Sequence, residues 1–264
     1  MKMKMKPKVV ILCGGKGSRM EKETEYIPKP LVEIGGKPIL WHIMKTYAHY
    51  GFNDFILCLG YKGCKIKKYF LNYEPMNNDF MLDLKMGGIS YYKNKSWNED
   101  WKITFVDTGE NAQTGTRVKR IEEYIDGDTF MLTYGDGVAD VDIKKLLEFH
   151  IQHGKVGTVT GVHPISKFGE LSIDGDIVTS FNEKQQVKEG CINGGFFVFN
   201  KEFFKYLRNA DDCYLEKYPL EKLAQDRELN VYLHNGFWQC MDTQRELGIL
   251  NKLWNTDKAQ WGIK

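Results

Sequence analysis

The chain has 264 residues, 42% of them apolar, enough for a full buried core, and 37 Lys and Arg against 35 Asp and Glu leave a formal charge of +2. That balance gives no electrostatic case for nucleic acid or an anionic membrane surface as partner, and no apolar run approaches the roughly 20 residues of a membrane span. The six cysteines show no C-x-x-C pair, and Gly14 cuts short any signal-like segment behind the lysine-rich start; a reducing, cytoplasmic setting without disulfides or zinc is therefore expected.

Short apolar runs then alternate with helical patterns. Residues 8–13 predict a buried strand, and residues 38–51 a helix opened by Pro38 and closed by Gly51. A strand is expected at 54–60, a helix at 64–73, a strand at 102–109 and a helix at 116–125. A strand at 129–137 and a helix at 142–154 follow. Strands and helices alternating at this length predict an α/β fold with a mostly parallel sheet flanked by helices. Past residue 160 two short strands around Asp174-Gly175 and a further strand at 194–200 predict a smaller β-rich insertion. Such an insertion is expected to wall the carboxyl ends of the parallel strands, where ligands bind in open sheets. Residues 72–101 read as a long loop or irregular hairpin.

The first strand runs directly into "LCGGKGSRM". A P-loop would need a glycine at position 19 or 20, which hold Arg19 and Met20, and a dinucleotide fingerprint starting at Gly15 fails at Met20. What remains is a loop whose backbone N–H groups can wrap anionic oxygens, with a hydroxyl at Ser18 and a guanidinium at Arg19 for phosphate. Pro28 and Pro30 flank Lys29 and are expected to hold it in an extended segment, ready for a phosphate. Asp136, in "TYGDG", follows a predicted central strand and is placed to hold Mg²⁺. Read alone, each of these has a plainer explanation: a tight turn, a stiffened surface lysine, an Asp-Gly turn. Asp242, read alone, is expected to cap a helix beginning near Thr243. His42 and His49 fall in a helical pattern and are expected to be structural.

In this order the pieces resemble the sugar-1-phosphate nucleotidyltransferases. The shared pattern is a GG-x-G-[ST]-R loop, a PKP lysine, a central GD, an E-K pair, an N-G-G strand and a late aspartate, spread over residues 8–245. Within the family the segments "PKPLVEIGGKPILWHIMK", "GYKG", "VDTG", "YGDGVAD", "INGGFFV" and "FWQCMDT" are most like those of members that use CTP and glucose 1-phosphate. The resemblance implies the nucleotide-diphospho-sugar transferase fold, a Rossmann-like nucleotide-binding sheet with a sugar-binding insertion. It implies a single domain, with residues 8–160 mainly on the nucleotide, 161–242 mainly on the sugar phosphate, and 243–264 a C-terminal helix and tail. Mg²⁺ as cofactor and assembly as a homo-oligomer are implied with it.

Carried over by position, the nucleotide loop falls on Leu12, Cys13, Gly14, Gly15, Lys16, Gly17, Ser18 and Arg19. Arg19, Lys29 and Asp136 match catalytic residues, and Asp136 and Asp242 match the metal ligands. Thr114, Gly115 and Arg117 of "TGTR", with Gly135, match nucleotide contacts; backbone carbonyls near Gly14 and the donors of Arg117 are placed to read the base. Tyr134, Gly169, Glu183, Lys184, Asn193 and Trp238 match the sugar-phosphate side. Thr116 stands where a second glycine is typical, Gln185 and Cys240 where prolines are, and residues 73–100 do not follow the pattern. These departures bear on base and sugar specificity and leave open another nucleotide (dTTP, UTP) or another phosphorylated acceptor. A non-catalytic nucleotide-sugar sensor is the alternative of a different class, and the presence of Arg19, Lys29, Asp136, Asp242, Glu183 and Lys184 speaks against it.

Overall fold

A computed structural model describes residues 6–20, 24–92, 99–164, 170–182 and 190–262 of the chain. Seven strands form its central sheet: β1 (Val9–Leu12), β2 (Asp54–Leu59), β3 (Lys102–Asp107), β4 (Thr129–Tyr134), β5 (Gly157–Val162), β6 (Ile192–Asn200) and β7 (Leu229–His234). Their order across the sheet is β7-β5-β6-β4-β1-β2-β3. Strand β1 is parallel to β2 and β4, β2 to β3, and β5 to β7, while β6 runs antiparallel to both its neighbours. The sheet is mostly parallel, as its sequence pattern predicts.

The apolar run of β1 is continuous because both faces of the sheet are covered. Val9 and Ile11 pack in one core with Phe55, Leu57 and Met131, and Val10 and Leu12 in the other with Ile56, Cys58 and Leu132. The first core is closed by helices α1 (Ile39–His49), α2 (Gly63–Leu71), α4 (Ile143–His153) and α6 (Gln244–Asn255). The second is closed by α3 (Thr114–Lys119) and α5 (Tyr218–Gln225). Helix α4 has the punctuation its sequence announces: the Asp142 carboxylate accepts from the Lys145 N–H, and Gly154 stops the helix at φ +68°. Register aligns Leu12 with both Cys58 and Tyr134, so β1, β2 and β4 release their following loops side by side at one edge.

Several elements differ from expectation. The helix foreseen at 116–125 starts at Thr114 and closes at Lys119; fully buried Ile121 leaves helical geometry at φ −104°, and a 3-10 turn, Glu122–Tyr124, follows. Residues 72–101 hold a short helix, Tyr73–Asn77, and a hairpin of Phe80–Asp83 with Gly88–Tyr91. The hairpin of Glu170–Asp174 with Ile177–Asn182 forms as expected around Gly175, at φ +58°. The strand-like piece that the sequence shows before Asp242 forms as Trp238–Cys240; its pairing with Gly137–Ala139 has no counterpart in the sequence reading, and it returns the late chain to the end of β4. Among the described residues no helix is long and apolar enough to cross a membrane.

Candidate active site

The loop after β1 is shaped by a buried arginine. Arg117 is only 4% exposed, and its guanidinium donates to the carbonyls of Gly14, Leu59, Gly109 and Glu110 and to the Thr108 hydroxyl at 2.7–3.2 Å. One cation thus ties together the segments leaving β1, β2 and β3. A Cβ at Gly14 would fall 2.1 Å from this guanidinium and one at Gly60 2.3 Å from it, so both positions need glycine for the close approach. Gly17 turns the loop at φ +65°, and Gly15 has nothing within 4 Å of where its Cβ would stand, leaving its backbone open to a ligand.

Lys29 occupies the centre. It opens a 3-10 turn, Lys29–Leu31, rather than the extended segment expected between two prolines. The Leu31 and Val32 N–H groups bond back to the Pro28 and Lys29 carbonyls, and Pro30 has no N–H to lose. From this turn the ammonium donates to Asp136 Oδ2 at 2.6 Å and to Asp242 Oδ1 at 2.5 Å. The Lys29 side chain is 10% exposed, and its burial works to lower its pKa, but the two carboxylates outweigh this and leave it raised. Burial likewise works to raise Asp242, and the Lys29 and Arg19 charges overcome it, holding the carboxyl below its usual range. Arg19 reaches the other Asp242 oxygen at 3.0 Å from a side chain that is 69% exposed, so that pair is free to exchange for a ligand anion.

Asp242 does not cap α6. Thr243 does: its hydroxyl accepts from the Glu246 N–H, and Glu246 Oε2 accepts from the N–H groups of Asp242 (2.7 Å) and Thr243 (2.9 Å). This capping box leaves the Asp242 carboxylate to point at Lys29. The signature T-x-x-E was present in the sequence and would have found it. The Met241 N–H bonds to the Asp136 carbonyl at 2.8 Å and fixes the two aspartates side by side.

Two lobes of a cleft meet here. The first, about 250 Å³, is lined by Leu12, Cys13, Gly14, Gly15, Gly17, Ser18, Arg19, Lys29, Thr114, Arg117, Tyr134, Gly135 and Asp136, joined by Pro30, Ala112 and Gln113. The second, about 310 Å³, is lined by Arg19, Tyr134, Asp136, Asn193, Trp238 and Asp242 with Gly194, Gly195 and Cys240 among others. Arg19, Tyr134 and Asp136 belong to both. Lys16 is exposed and lines neither lobe, and Gly115 packs against the Cys213 carbonyl and sulfur instead of facing the cleft. Gly169, Glu183 and Lys184 lie outside the described residues. The thiols in the lining are held protonated by burial: Cys13 is pushed well up, with Cys58 adding to it, and Cys240 rises to about 12.

In the second lobe the Asn193 amide donates to the Tyr134 hydroxyl at 3.1 Å, and the Trp238 indole to the Gly194 carbonyl at 2.7 Å. Sequence reasoning missed Glu216, whose carboxylate accepts from the Tyr134 hydroxyl and from Thr114 Oγ1, each at 2.7 Å. Nothing in the local pattern around Glu216 marks it. His42 is buried, with Nε2 2.9 Å from the Ile34 carbonyl, and is remote from the cleft lining.

A glycine loop at the ends of parallel strands, opening onto two lobes that share an arginine and an aspartate, is the site of a group-transfer enzyme acting on anionic substrates. Residues 8–243 match the Nucleotidyl transferase family, and the chain belongs to it. The glucose-1-phosphate cytidylyltransferase of Salmonella typhimurium is 48% identical over 255 residues, covering 96% of this chain and 98% of that one. Among solved structures, HddC from Yersinia pseudotuberculosis superposes with a TM-score of 0.68 at 25% identity, covering 94% of this chain and all of that one. UDP-glucose pyrophosphorylase complexed with UDP-glucose shares the fold at a TM-score of 0.68 and 14% identity, over 96% and 100% of the two chains. Nucleotidyltransferases generally use a divalent metal. The donor set on Lys29, two carboxylates from separate segments, suits a hard cation that prefers oxygen.

Proposed function

We propose that this chain transfers a cytidylyl group from CTP to glucose 1-phosphate, giving CDP-glucose and pyrophosphate, with Mg²⁺ as the metal. The observation that carries the reading is Lys29, held between Asp136 and Asp242 where the two lobes join, in a chain 48% identical to a glucose-1-phosphate cytidylyltransferase. The first lobe takes the nucleotide, with the open amides near Gly15 and the Arg19 guanidinium on the phosphates that leave. The second takes the sugar phosphate against Tyr134, Asn193 and Trp238, with Glu183 and Lys184 assigned to it on sequence.

The attacking group is a phosphate oxygen, already ionised near neutral pH, so the residues need supply no general base. Their work is to bring two polyanions together and neutralise the charge between them. Asp136 and Asp242 would hold the metal, which when bound supplies positive charge beside the α-phosphate and the incoming phosphate. Lys29 releases its carboxylates and turns its ammonium to the α-phosphate; Arg19 leaves Asp242 for the departing pyrophosphate. The family resemblance supports a homo-oligomer, which sedimentation velocity would test.

The test is pyrophosphate release with Mg²⁺, glucose 1-phosphate and each nucleoside triphosphate in turn. Release with CTP alone is the expected result. Release with another triphosphate, or silence from folded protein with all of them, overturns the assignment.

A further inference from the structure

One exposed carboxylate bridges a residue of the first lobe to a residue that lines both. Glu216 lies in the segment between β6 and α5, a stretch docked on α3 by the Gln113 N–H to the Asp211 carbonyl (3.0 Å) and the Thr116 N–H to the Cys213 carbonyl (3.1 Å). The Leu215 N–H donates to Thr114 Oγ1 at 2.9 Å, and that hydroxyl then donates to Glu216 Oε2. On its other oxygen Glu216 accepts from Tyr134. The chain of contacts continues to the Asn193 amide on the Tyr134 hydroxyl, and from Asn193 Oδ1 to the Gly195 N–H at 2.8 Å. It runs from Thr114, on the wall of the first lobe, to Asn193, on the wall of the second.

Tyr134 has little freedom outside this chain. Gly195, at φ +81°, lets the Tyr134 ring approach to 2.5 Å of where a Cβ would stand, and Phe197 meets the ring edge-on at 5.8 Å. Its hydroxyl donates to Glu216 Oε1 at 2.7 Å. A phenol clamped at its ring and aimed at its hydroxyl also fixes the backbone two residues ahead of Asp136. Glu216 lines neither lobe, and as a two-oxygen acceptor holding two hydroxyls at a set separation it orients both walls.

We infer that Glu216 is a positioning residue: it holds Thr114 and Tyr134 together so that filling the nucleotide lobe sets the acceptor lobe for the sugar phosphate. The inference rests on the assignment of the two lobes above. It goes further by naming the group that couples them.

The test compares wild type, E216A, E216Q, Y134F and the E216A/Y134F double variant in two measurements. Steady-state kinetics with CTP and glucose 1-phosphate should show the acceptor KM of E216A raised about tenfold, with CTP affinity in calorimetry changed less than about twofold. E216Q, which keeps one acceptor oxygen, should recover part of that loss. The double variant should be hardly worse than Y134F in acceptor KM, because Y134F has already broken the link that Glu216 makes between the lobes. Thermal unfolding of the same five proteins needs no substrate and should show the same non-additivity. Additive losses in both measurements, equal loss of CTP and acceptor affinity, or wild-type kinetics in E216A would overturn the role of Glu216. Silence from the wild type would instead overturn the substrate assignment. In that case additive unfolding midpoints still reject the Glu216–Tyr134 coupling, and non-additive ones support it.

Discussion

At the residue scale, Lys29 stands where the cation would act, neutralising two carboxylates that would otherwise face each other. Lys29→Met removes the counter-charge and should destabilise the metal-free protein by about 1–3 kcal/mol, less than for a fully buried pair because Asp136 keeps partial exposure. Mg²⁺ without nucleotide should then raise the unfolding midpoint of the variant more than that of wild type, since the metal competes with no ammonium there. The pH signs follow from the two shifts. Asp242 is depressed in the folded protein, so its contribution is present above about pH 4 and is lost as pH falls through its lower folded value. Lys29 is raised, so its contribution is full below about pH 10.4 and is lost as pH rises through its higher folded value. Midpoints measured from pH 3 to 11 should show both losses in wild type and lack the alkaline one in Lys29→Met. Separately, Asp136→Asn should abolish pyrophosphate release while circular dichroism stays unchanged; near-wild-type turnover in saturating Mg²⁺ would end the assignment of Asp136 to the metal. The glycine loop, Lys29 and Asp136 were legible because each sits within a short local pattern. Glu216 was not: its partners lie 82 and 102 residues away, and a lone exposed glutamate carries no spacing to read.

At the element scale, the sheet was legible wherever both faces are buried, because β1, β2 and β4 are continuous apolar runs bounded by glycine or polar residues. Strand β7 lies at the sheet edge with apolar Val231 and Leu233 exposed, so its hydrophobic residues mark no buried face, and the Trp238–Cys240 ribbon strand is three residues long; neither gives a strong period. The role of "TGTR" is also set by packing and not by motif. Arg117 lines the first lobe, yet the hydrogen bonds of its terminal nitrogens run to the protein's own carbonyls and one hydroxyl, so those donors shape the loop it holds. Gly60→Ala tests this from outside residues 14–19. The new methyl must displace a guanidinium that is the end of a long side chain but is buried and multiply bonded, at a cost of about 1–3 kcal/mol. Denaturation midpoint and CTP affinity should fall together; a drop in stability with CTP binding intact would mean that the loop keeps its shape without Arg117.

At the scale of the molecule, the site is where distant parts of the chain close on one another. Lys29 and Asp242 are 213 residues apart in sequence, yet share a hydrogen bond of 2.5 Å. The ribbon after β7 and the α6 capping box make that possible: the first returns the chain to the end of β4, and the second turns Asp242 inward. A metal-bound nucleotide on Arg19, Asp136 and Asp242 would therefore cross-link the glycine loop to the start of α6. Hydrogen exchange can read such a link, because amides at loop and helix ends open locally with low free energy. Addition of Mg²⁺ and CTP should slow exchange in residues 14–19 and, with the same dependence on CTP concentration, in residues 243–246. Asp242→Asn keeps the cap, which Thr243 and Glu246 make, but removes the link. In that variant the loop amides should still gain protection at higher CTP, and the cap amides should not. Equal protection of both segments in the variant would show that the two halves close through some other contact than Asp242.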